Sequence, residues 1–444
     1  MRSVYLRGND APRHPRIFKK RVRRAEAGIR PGDVVAVRTE EGAFVGRAFF
    51  SPRSVIAARI LDREEHGPPV DTDWFAARIG AAAALRVALR IPDVTDAFRV
   101  VHAEGDGLGG LIIDHYRDVA VIEVRARGLF EHLDEIEEAV RGVLDIERIV
   151  VRADPRVEEI EGFSATDRRA SDVRTIVTEH GLRFHVDCSQ GHKTGFFVDQ
   201  REARHLVSGL AEGRRVLDLC CYTGGFALAA ARGGASAVLG VDLDETALAL
   251  ATENARLNDL GEVEFEHADA FDVLRRAPRA DLIVLDPPKL AAHRRELDRA
   301  RRKSVDFNTL ALAALPEAGL LFTFSCTGLF GEADLAGHVR EAARRARRSV
   351  RILRVTGQPP DHPGNQVLLL AKLPLEDSGH ERQHALPDLR RQELPVLPRH
   401  LRARPLQVQH VHPRVPAHHP PAVRGVARLR RHRLHAHCAA PFCA

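Results

Sequence analysis

The chain has 444 residues, more than one hydrophobic core can serve, and a net charge of +6. No apolar run approaches the length of a bilayer span, and the first residues, MRSVYLRGNDAPRHPR, lack the apolar segment of a secretory signal. Six cysteines, at 188, 220, 221, 326, 438 and 443, show no metal-ligand spacing, so the expectation is a cytoplasmic chain with reduced thiols, no membrane span and no metal.

Residues 1–70 read as a small β domain. Pro31-Gly32-Asp33 turns into VVAVR, Glu40-Glu41-Gly42 turns into AFVGRAFF, and Pro52 precedes VIAARIL. Short strands between Gly, Pro and Asp turns predict a compact barrel. Ahead of them runs a basic stretch, Arg13, Arg16, Lys19, Lys20, Arg21, Arg23 and Arg24, with no acid between Asp10 and Glu26. It is either a phosphate-contacting surface or a solvated charged face. Residues 71–91 predict a linking helix closed by Pro92. Residues 97–187 alternate again: FRVVH, GLIID, VAVIEV and RIVVR are strand-like, and LFEHLDEIEEAVRGVL is an amphipathic helix. VRTIVTEHGLRFHVD predicts a hairpin turned at His180-Gly181. Together 71–187 make a linker helix and an α+β insert.

Residues 188–375 predict an α/β domain with strands at 216–220, 237–241, 263–266, 281–285, 319–325, 349–355 and 366–372. Residues 376–444 differ in kind. From 381 onward they hold twelve Arg, no Lys, three acids and no Ile, a net of +9 that leaves residues 1–380 at −3. No helical or strand period survives there, so this Arg/His/Pro tail reads as disordered or as out-of-frame translation, and no function is placed on it. Any nucleic-acid surface on the acidic body must be local.

Chemistry concentrates between Val216 and Lys289. Apolar runs end in acidic turns at Asp218, Asp242 and Asp286, and a fourth, Asp269, follows the run EVEFEHAD, the layout of a doubly wound sheet with its ligand beyond the strand C-termini. Gly224-Gly225 in the first turn admits a ligand close to the backbone, and Asp242 is placed for both hydroxyls of a ribose. The third glycine of GxGxxG is absent, which argues against a pyrophosphate and leaves a phosphate-free adenosine such as S-adenosylmethionine. The turn from Asp218 through Tyr222 to Phe226 then suits the methionine end, and Asp269 with Ala270 and Phe271 suits the adenine. Each of these Asp residues could also be a helix N-cap.

Asp286-Pro287-Pro288-Lys289 stiffens the chain past its strand and presents Asp286 to a planar substrate. Cys326, in LLFTFSCTGLF, lies at the same rim on the next strand. A thiolate there can add to C6 of a pyrimidine and make C5 a carbon nucleophile, with Lys289 lowering the thiol's pKa. The other reading of Cys326 is a buried structural cysteine. The loop QGHKTGFFVDQREAR brings His192, Lys193, Asp199, Gln200 and Arg201 beside the sheet, where Gln200 and Asp199 could orient substrate or the cofactor's amino-acid end, Gln200 and Arg201 are candidate cofactor contacts, and Lys193 could meet RNA.

Taken in order, RHPRIF, PGDVVAV, GRAFFSPRSVIAARIL, FRVVHAEGDGLGGLIIDHYRDVAVIE, GHKTGFFVDQREAR, LDLCCYTGGFAL, VDLDETALALATENARLN, LDPPKL and FSCTGL resemble the bacterial large-subunit ribosomal RNA methyltransferases of the cytosine-C5 type, the RlmI-like family. The likeness spans about residues 12–373. It implies an RNA-binding PUA domain first, an α+β insert of the EEHEE kind, and a Rossmann-like S-adenosylmethionine fold last. It further implies Cys326 as nucleophile, Asp242, Asp269 and Asp286 as cofactor or substrate contacts, ribosomal RNA as partner, and a homodimer as one expectation for assembly. Gly109 departs from the family's proline in DGLPGL, and the closing Pro-Glu-Gly-(x)-Tyr-Leu-Lys is missing after Asp361-His362-Pro363. Relatives sharing the GFF-DQR and DPPK-like motifs methylate guanine, which leaves a guanine methyltransferase as one alternative. A non-catalytic RNA-binding ribosome-assembly factor is the other.

Overall fold

Three sheets and a hairpin follow one another along the chain in the computed structural model, which describes residues 1–168, 173–189, 191–276 and 279–363. The expected strand 366–372 and the tail 376–444 lie outside the described residues.

The first sheet comprises β1 (Ser3–Leu6), β2 (Arg16–Phe18), β3 (Val22–Ala25), β4 (Val34–Arg38), β5 (Phe44–Phe50) and β6 (Ile56–Asp62), in the order β2-β6-β5-β4-β1-β3. Its outer strands, β2 and β3, are joined only by the short 3-10 turn Lys19–Arg21, so the sheet must curl until its edges adjoin. That gives the expected barrel shape without a hydrogen-bonded seam between those two strands. Val4, Leu6, Val35, Val37 and Ile60 fill its interior.

Helix α1 (Thr72–Ala88) starts where the Asp71 carboxylate accepts the Trp74 N–H, and it ends just before the predicted stop. Trp74, Phe75 and Ile79 bury against a second sheet of β7 (Ala97–His102), β8 (Leu111–Tyr116) and β9 (Val119–Val124). The expected single amphipathic helix is two, α2 (Arg127–Glu131) and α3 (Leu133–Leu144), broken at His132. Strand β10 (Arg148–Arg152) then pairs parallel to β9 and completes the order β10-β9-β8-β7. Sequence reading passed over α4 (Pro155–Glu161), although Asp154 caps it and Pro155 opens it. Phe49 and Leu61 of the first sheet share a core with α1 and the second sheet, which fixes the two layers against each other.

Strands β11 (Arg174–Glu179) and β12 (Leu182–Asp187) form the expected hairpin, with His180 and Gly181 both at positive φ, 47° and 79°. After α5 (Arg201–Ser208) comes the third sheet: β13 (Arg215–Leu219), α6 (Gly225–Arg232), β14 (Ala237–Asp242), α7 (Glu245–Leu257), β15 (Glu264–His267), α8 (Ala270–Arg275), β16 (Leu282–Leu285), α9 (Leu297–Ala314), β17 (Leu320–Thr323) and α10 (Glu332–Ala346). All its strand pairs are parallel, in the order β15-β14-β13-β16-β17. The order reverses between β13 and β16, so a crevice opens beyond their C-terminal ends.

One predicted strand fails. Residues 349–355 form no strand, and Ile352, Leu353 and Val355 are 46%, 77% and 54% exposed. The alternation of this run slips phase at Ile352-Leu353, which puts Val350 and Ile352 on one face of an extended chain and Leu353 and Val355 on the other, so neither face is uniformly apolar.

Candidate active site

The turn after β13 is built from strained backbone. Cys220, Tyr222 and Gly224 all adopt positive φ, 62°, 49° and 82°. At Gly224 a Cβ would stand 3.0 Å from the Phe265 ring and 3.2 Å from Ala251, so any other side chain crowds its neighbours and strains the left-handed backbone there. Beneath this turn lies Asp218, expected as a cofactor contact. The structure corrects that expectation: Asp218 is 0% exposed, and its Oδ2 accepts the Ala227 N–H (2.9 Å), which fixes the start of α6. Its Oδ1 is buried with no partner. Burial, opposed by the Ala227 hydrogen bond and reinforced by nearby Asp286 and Asp242, pushes its pKa up to about 8.

Asp242, at the end of β14, is half-buried and faces the same turn. Its two oxygens accept the backbone N–H groups of Tyr222 (2.8 Å) and Asp244 (3.0 Å), each leaving a lone pair for a ligand hydroxyl. Asp244 caps α7 through Ala247. Asp269 caps α8 by accepting from Phe271 and Asp272 through one oxygen, so its other oxygen is the one left for an exocyclic amine. Of the two other expected adenine contacts, Ala270 is buried, and the half-buried Phe271 stacks one ring face on Phe307 at 3.7 Å at the edge of the core. The Tyr222 hydroxyl accepts the His192 N–H (3.1 Å), and its ring meets His192 and Phe197 edge-on, which ties loop 191–197 to the cofactor turn.

On the other side of the crevice, Asp286 follows β16. Some of the residue remains exposed, but its carboxyl sits deep and receives the Gln200 side-chain N–H at 3.0 Å. Burial and then Asp199 push its pKa up to about 7, partly offset by Lys193 and the Gln200 hydrogen bond. Gln200, expected on the cofactor, thus points at Asp286. Arg201 is a clearer correction: it is 0% exposed, and its guanidinium is spent on Asp361, with contacts of 2.9 and 3.2 Å. Lys193, expected on RNA, pairs with Asp199 at 2.5 Å because a buried carboxylate lies six residues further along the same loop.

Cys326 is exposed at the mouth, and its thiol lies 3.7 Å from the Pro287 carbonyl oxygen as donor. The Leu290 N–H donates to Thr327 Oγ1 (3.0 Å) and the Phe324 N–H to the Leu285 carbonyl (2.9 Å), so the DPPK loop and the cysteine loop are stitched together. Lys289 is half-buried on that same loop. Cys188, Cys220 and Cys221 differ, since burial first of all pushes each thiol's pKa up and leaves it inert near neutrality. An exposed sulfur, a carboxyl that titrates near neutrality and a glycine turn therefore converge on one crevice.

Sequence comparison agrees with this geometry. The family of S-adenosylmethionine-dependent methyltransferases matches residues 161–366, and the PUA-like domain matches residues 12–63. Ribosomal RNA large subunit methyltransferase I of Erwinia tasmaniensis is 35% identical over 361 residues, 79% of this chain and 91% of that one. The protein of the same name in Aeromonas hydrophila is 37% identical over 378 residues, 81% of this chain and 94% of its own. The chain belongs to the ribosomal RNA large subunit methyltransferase I family. It is an S-adenosylmethionine-dependent methyltransferase with a PUA-like domain ahead of a Rossmann-like sheet. The same fold is seen in SMU.776, crystallised in complex with SAH, at a TM-score of 0.69 and 21% identity, covering 82% of this chain and 96% of that one.

The basic stretch of the PUA-like domain divides. Lys19 and Lys20 stand exposed on the 3-10 turn, as does Arg13. Arg16 has a partner within the protein: its guanidinium forms a two-pronged pair with Glu104 (2.7 and 2.5 Å) and joins the first sheet to the second layer, with the side chain still exposed. Arg21 donates to the Asp10 carbonyl at 2.9 Å. Asp361, Arg99 and Asp114 were missed as supports of the site. Their signal is a set of buried pairings between residues far apart in sequence, which no local motif carries. Among the described residues no helix is long and apolar enough to cross a membrane.

Proposed function

We propose that this methyltransferase acts in the cytoplasm on large-subunit ribosomal RNA and methylates C5 of a cytosine through a covalent adduct on Cys326. The observation that carries this reading is the exposed Cys326 thiol beside Pro287, on a loop stitched to that of Asp286. Asp242 suits the ribose, the 220–225 turn the methionine end, and the free oxygen of Asp269 the adenine. When bound, the cofactor supplies a methyl carbon attached to a positively charged sulfur.

The chain's own groups do the rest. The Cys326 thiolate forms a bond to C6 of the cytosine while Asp286, near half-protonated at neutrality, gives a proton to ring nitrogen N3. The C5–C6 π electrons then reside on C5, which takes the methyl group. Water removes the C5 proton, the sulfur–C6 bond breaks as the double bond re-forms, and N3 returns its proton to Asp286. The ring thus exchanges one proton for one methyl group, and the thiolate and the carboxyl are regenerated. Lys289 and Lys193 supply positive charge near this step, and Lys19, Lys20 and Arg13 offer phosphate contacts on the PUA-like domain.

Nucleoside mass spectrometry of ribosomal RNA treated with the wild type and with Cys326→Ala tests the reading. The wild type yields 5-methylcytosine, and the variant yields none while still binding SAH. Methylguanine as the product, or an undiminished variant, refutes it.

A further inference from the structure

We propose that Asp361 is a positioning residue for methyl transfer: by clamping Arg201 at the start of α5 it holds Gln200 against Asp286. This rests on the role just given to Asp286.

Asp361 and Asp286 lie far apart in sequence, and Asp361 is 0% exposed. Its Oδ2 accepts the Arg99 backbone N–H (3.0 Å) and Arg201 Nη1 (3.2 Å), and its Oδ1 accepts Arg201 Nη2 (2.9 Å). Its backbone carbonyl accepts from Arg86 (2.8 Å), which itself grips Asp106 through two contacts, 2.5 and 2.8 Å. The segment is wedged in place from behind, since a Cβ on Gly105 would collide with the Pro363 carbonyl oxygen. Asp361 is therefore rigid relative to the second sheet.

Arg201 transmits that rigidity. The preceding residue, Gln200, ends the 3-10 turn Val198–Gln200 and donates to Asp286 at 3.0 Å. The other end of this loop is fastened from the same sheet. Arg99 holds Asp114 (2.8 and 2.9 Å), Asp114 accepts from Thr194, and Thr194 adjoins Lys193. Asp199 and Gln200 lie between those two anchors, and Lys193 and Arg204 flank them. A buried ion pair contributes little net stability, because desolvation offsets its attraction. What this one supplies is a fixed geometry for neighbouring groups.

The groups facing Asp286 are Asp199, Lys193 and Arg204, with Asp218 and Cys220 beneath. Those facing Asp361 are Arg201, Arg99, Arg86 and His362. The Gln200 hydrogen bond favours the carboxylate form of Asp286, so its loss moves the Asp286 titration to higher pH.

The test is the pH profile of kcat for full-length wild type, Asp361→Asn, Gln200→Ala and the double variant, with SAH binding measured alongside. The expected result is a wild-type limb near neutrality that moves alkaline in both single variants and no further in the double. In Asp361→Asn, kcat falls about 10–100-fold while KM for S-adenosylmethionine stays within about twofold. Arg201→Lys, which keeps the charge but loses the fork, gives a smaller shift in the same direction and carries the test if Asp361→Asn does not fold. A limb moved by Gln200→Ala but not by either clamp variant overturns the proposal. So does failure of both clamp variants to fold, since the pair then serves stability alone. A wild-type profile without a limb near neutrality removes Asp286 from the chemistry instead, a failure of the underlying reading rather than of the clamp.

Discussion

Replacing Asp286 by Asn should make the protein more stable at alkaline pH while abolishing methyl transfer. The folded-state pKa is about 7, against a reference near 3.8, so the folded protein binds a proton that the unfolded chain releases at lower pH. The sign is that of a raised carboxyl. Below the reference value both states are protonated and the residue costs nothing. The penalty then grows with pH and levels off above the folded value. A shift of roughly three units at 1.36 kcal/mol each sets an upper bound of about 4 kcal/mol above neutrality, and relaxation around the charge would halve that to about 2 kcal/mol. At pH 5 the same reasoning leaves about 1 kcal/mol. Asparagine has no charge to desolvate and still accepts from Gln200. Thermal melts of wild type and Asp286→Asn between pH 5 and pH 9 should therefore diverge by a few degrees as pH rises, with the variant melting higher. Methylation by the variant should fall at least about 100-fold at every pH. A melting difference independent of pH, or a variant less stable at pH 9, would refute the reasoning.

Three further outcomes follow from particular contacts. Gly224→Ala places a side chain on a residue at φ 82° and against Phe265, so about 1–2 kcal/mol of strain should weaken SAH binding about tenfold by calorimetry. The double variant Lys19→Glu, Lys20→Glu should weaken RNA binding and lower its salt slope by about two, while Arg16→Ala, which loses only its Glu104 partner, leaves that slope unchanged. Arg204→Met strands the Glu179 carboxylate, now held by two 2.7 Å contacts in the interior, and should cost about 3–5 kcal/mol in urea unfolding.

The sequence showed the frame of the site better than its supports. The five described strands of the third sheet were legible because four are apolar runs and β15 an alternating one, each ending in an acid or a turn, and the position of Cys326 at the rim followed from that order alone. The hairpin at His180-Gly181 was legible for a similar reason, since two residues at positive φ leave few other turns. What could not be read is which polar groups face inward. Asp218 and Asp242 both follow apolar runs of neighbouring strands, yet Asp218, paired with Gly240 inside the sheet, is entombed under α6, and Asp242, at the very end of its strand, faces the crevice. Gln200 and Arg201 are adjacent, and their side chains serve opposite sides of the loop. Arg16 looked like its basic neighbours until Glu104, in a different layer, claimed it. In each case the deciding partner lies on a separate element, so the information is tertiary.

Asp242 and Asp286 flank the crevice with Asp218 buried beneath it, and burial with Asp199 raises Asp286 while burial with Asp286 and Asp242 raises Asp218. Such a cluster should discriminate between the substrate cofactor and its product. S-adenosylmethionine carries a positive sulfur that SAH lacks, so the ratio of their affinities measures how negative the site is. As pH rises through about 7, Asp286 ionises and the site gains a negative charge. That charge acts across a poorly screened interior, where about 1–2 kcal/mol per pair is reasonable. Preference for S-adenosylmethionine over SAH should thus grow about tenfold between pH 6 and pH 9, and Asp286→Asn should remove that growth. Affinities for both ligands at each pH would show it. A ratio that stays flat over this range would mean that Asp286 remains protonated or faces away from the sulfur, and the electrostatic account of product release would fail with it.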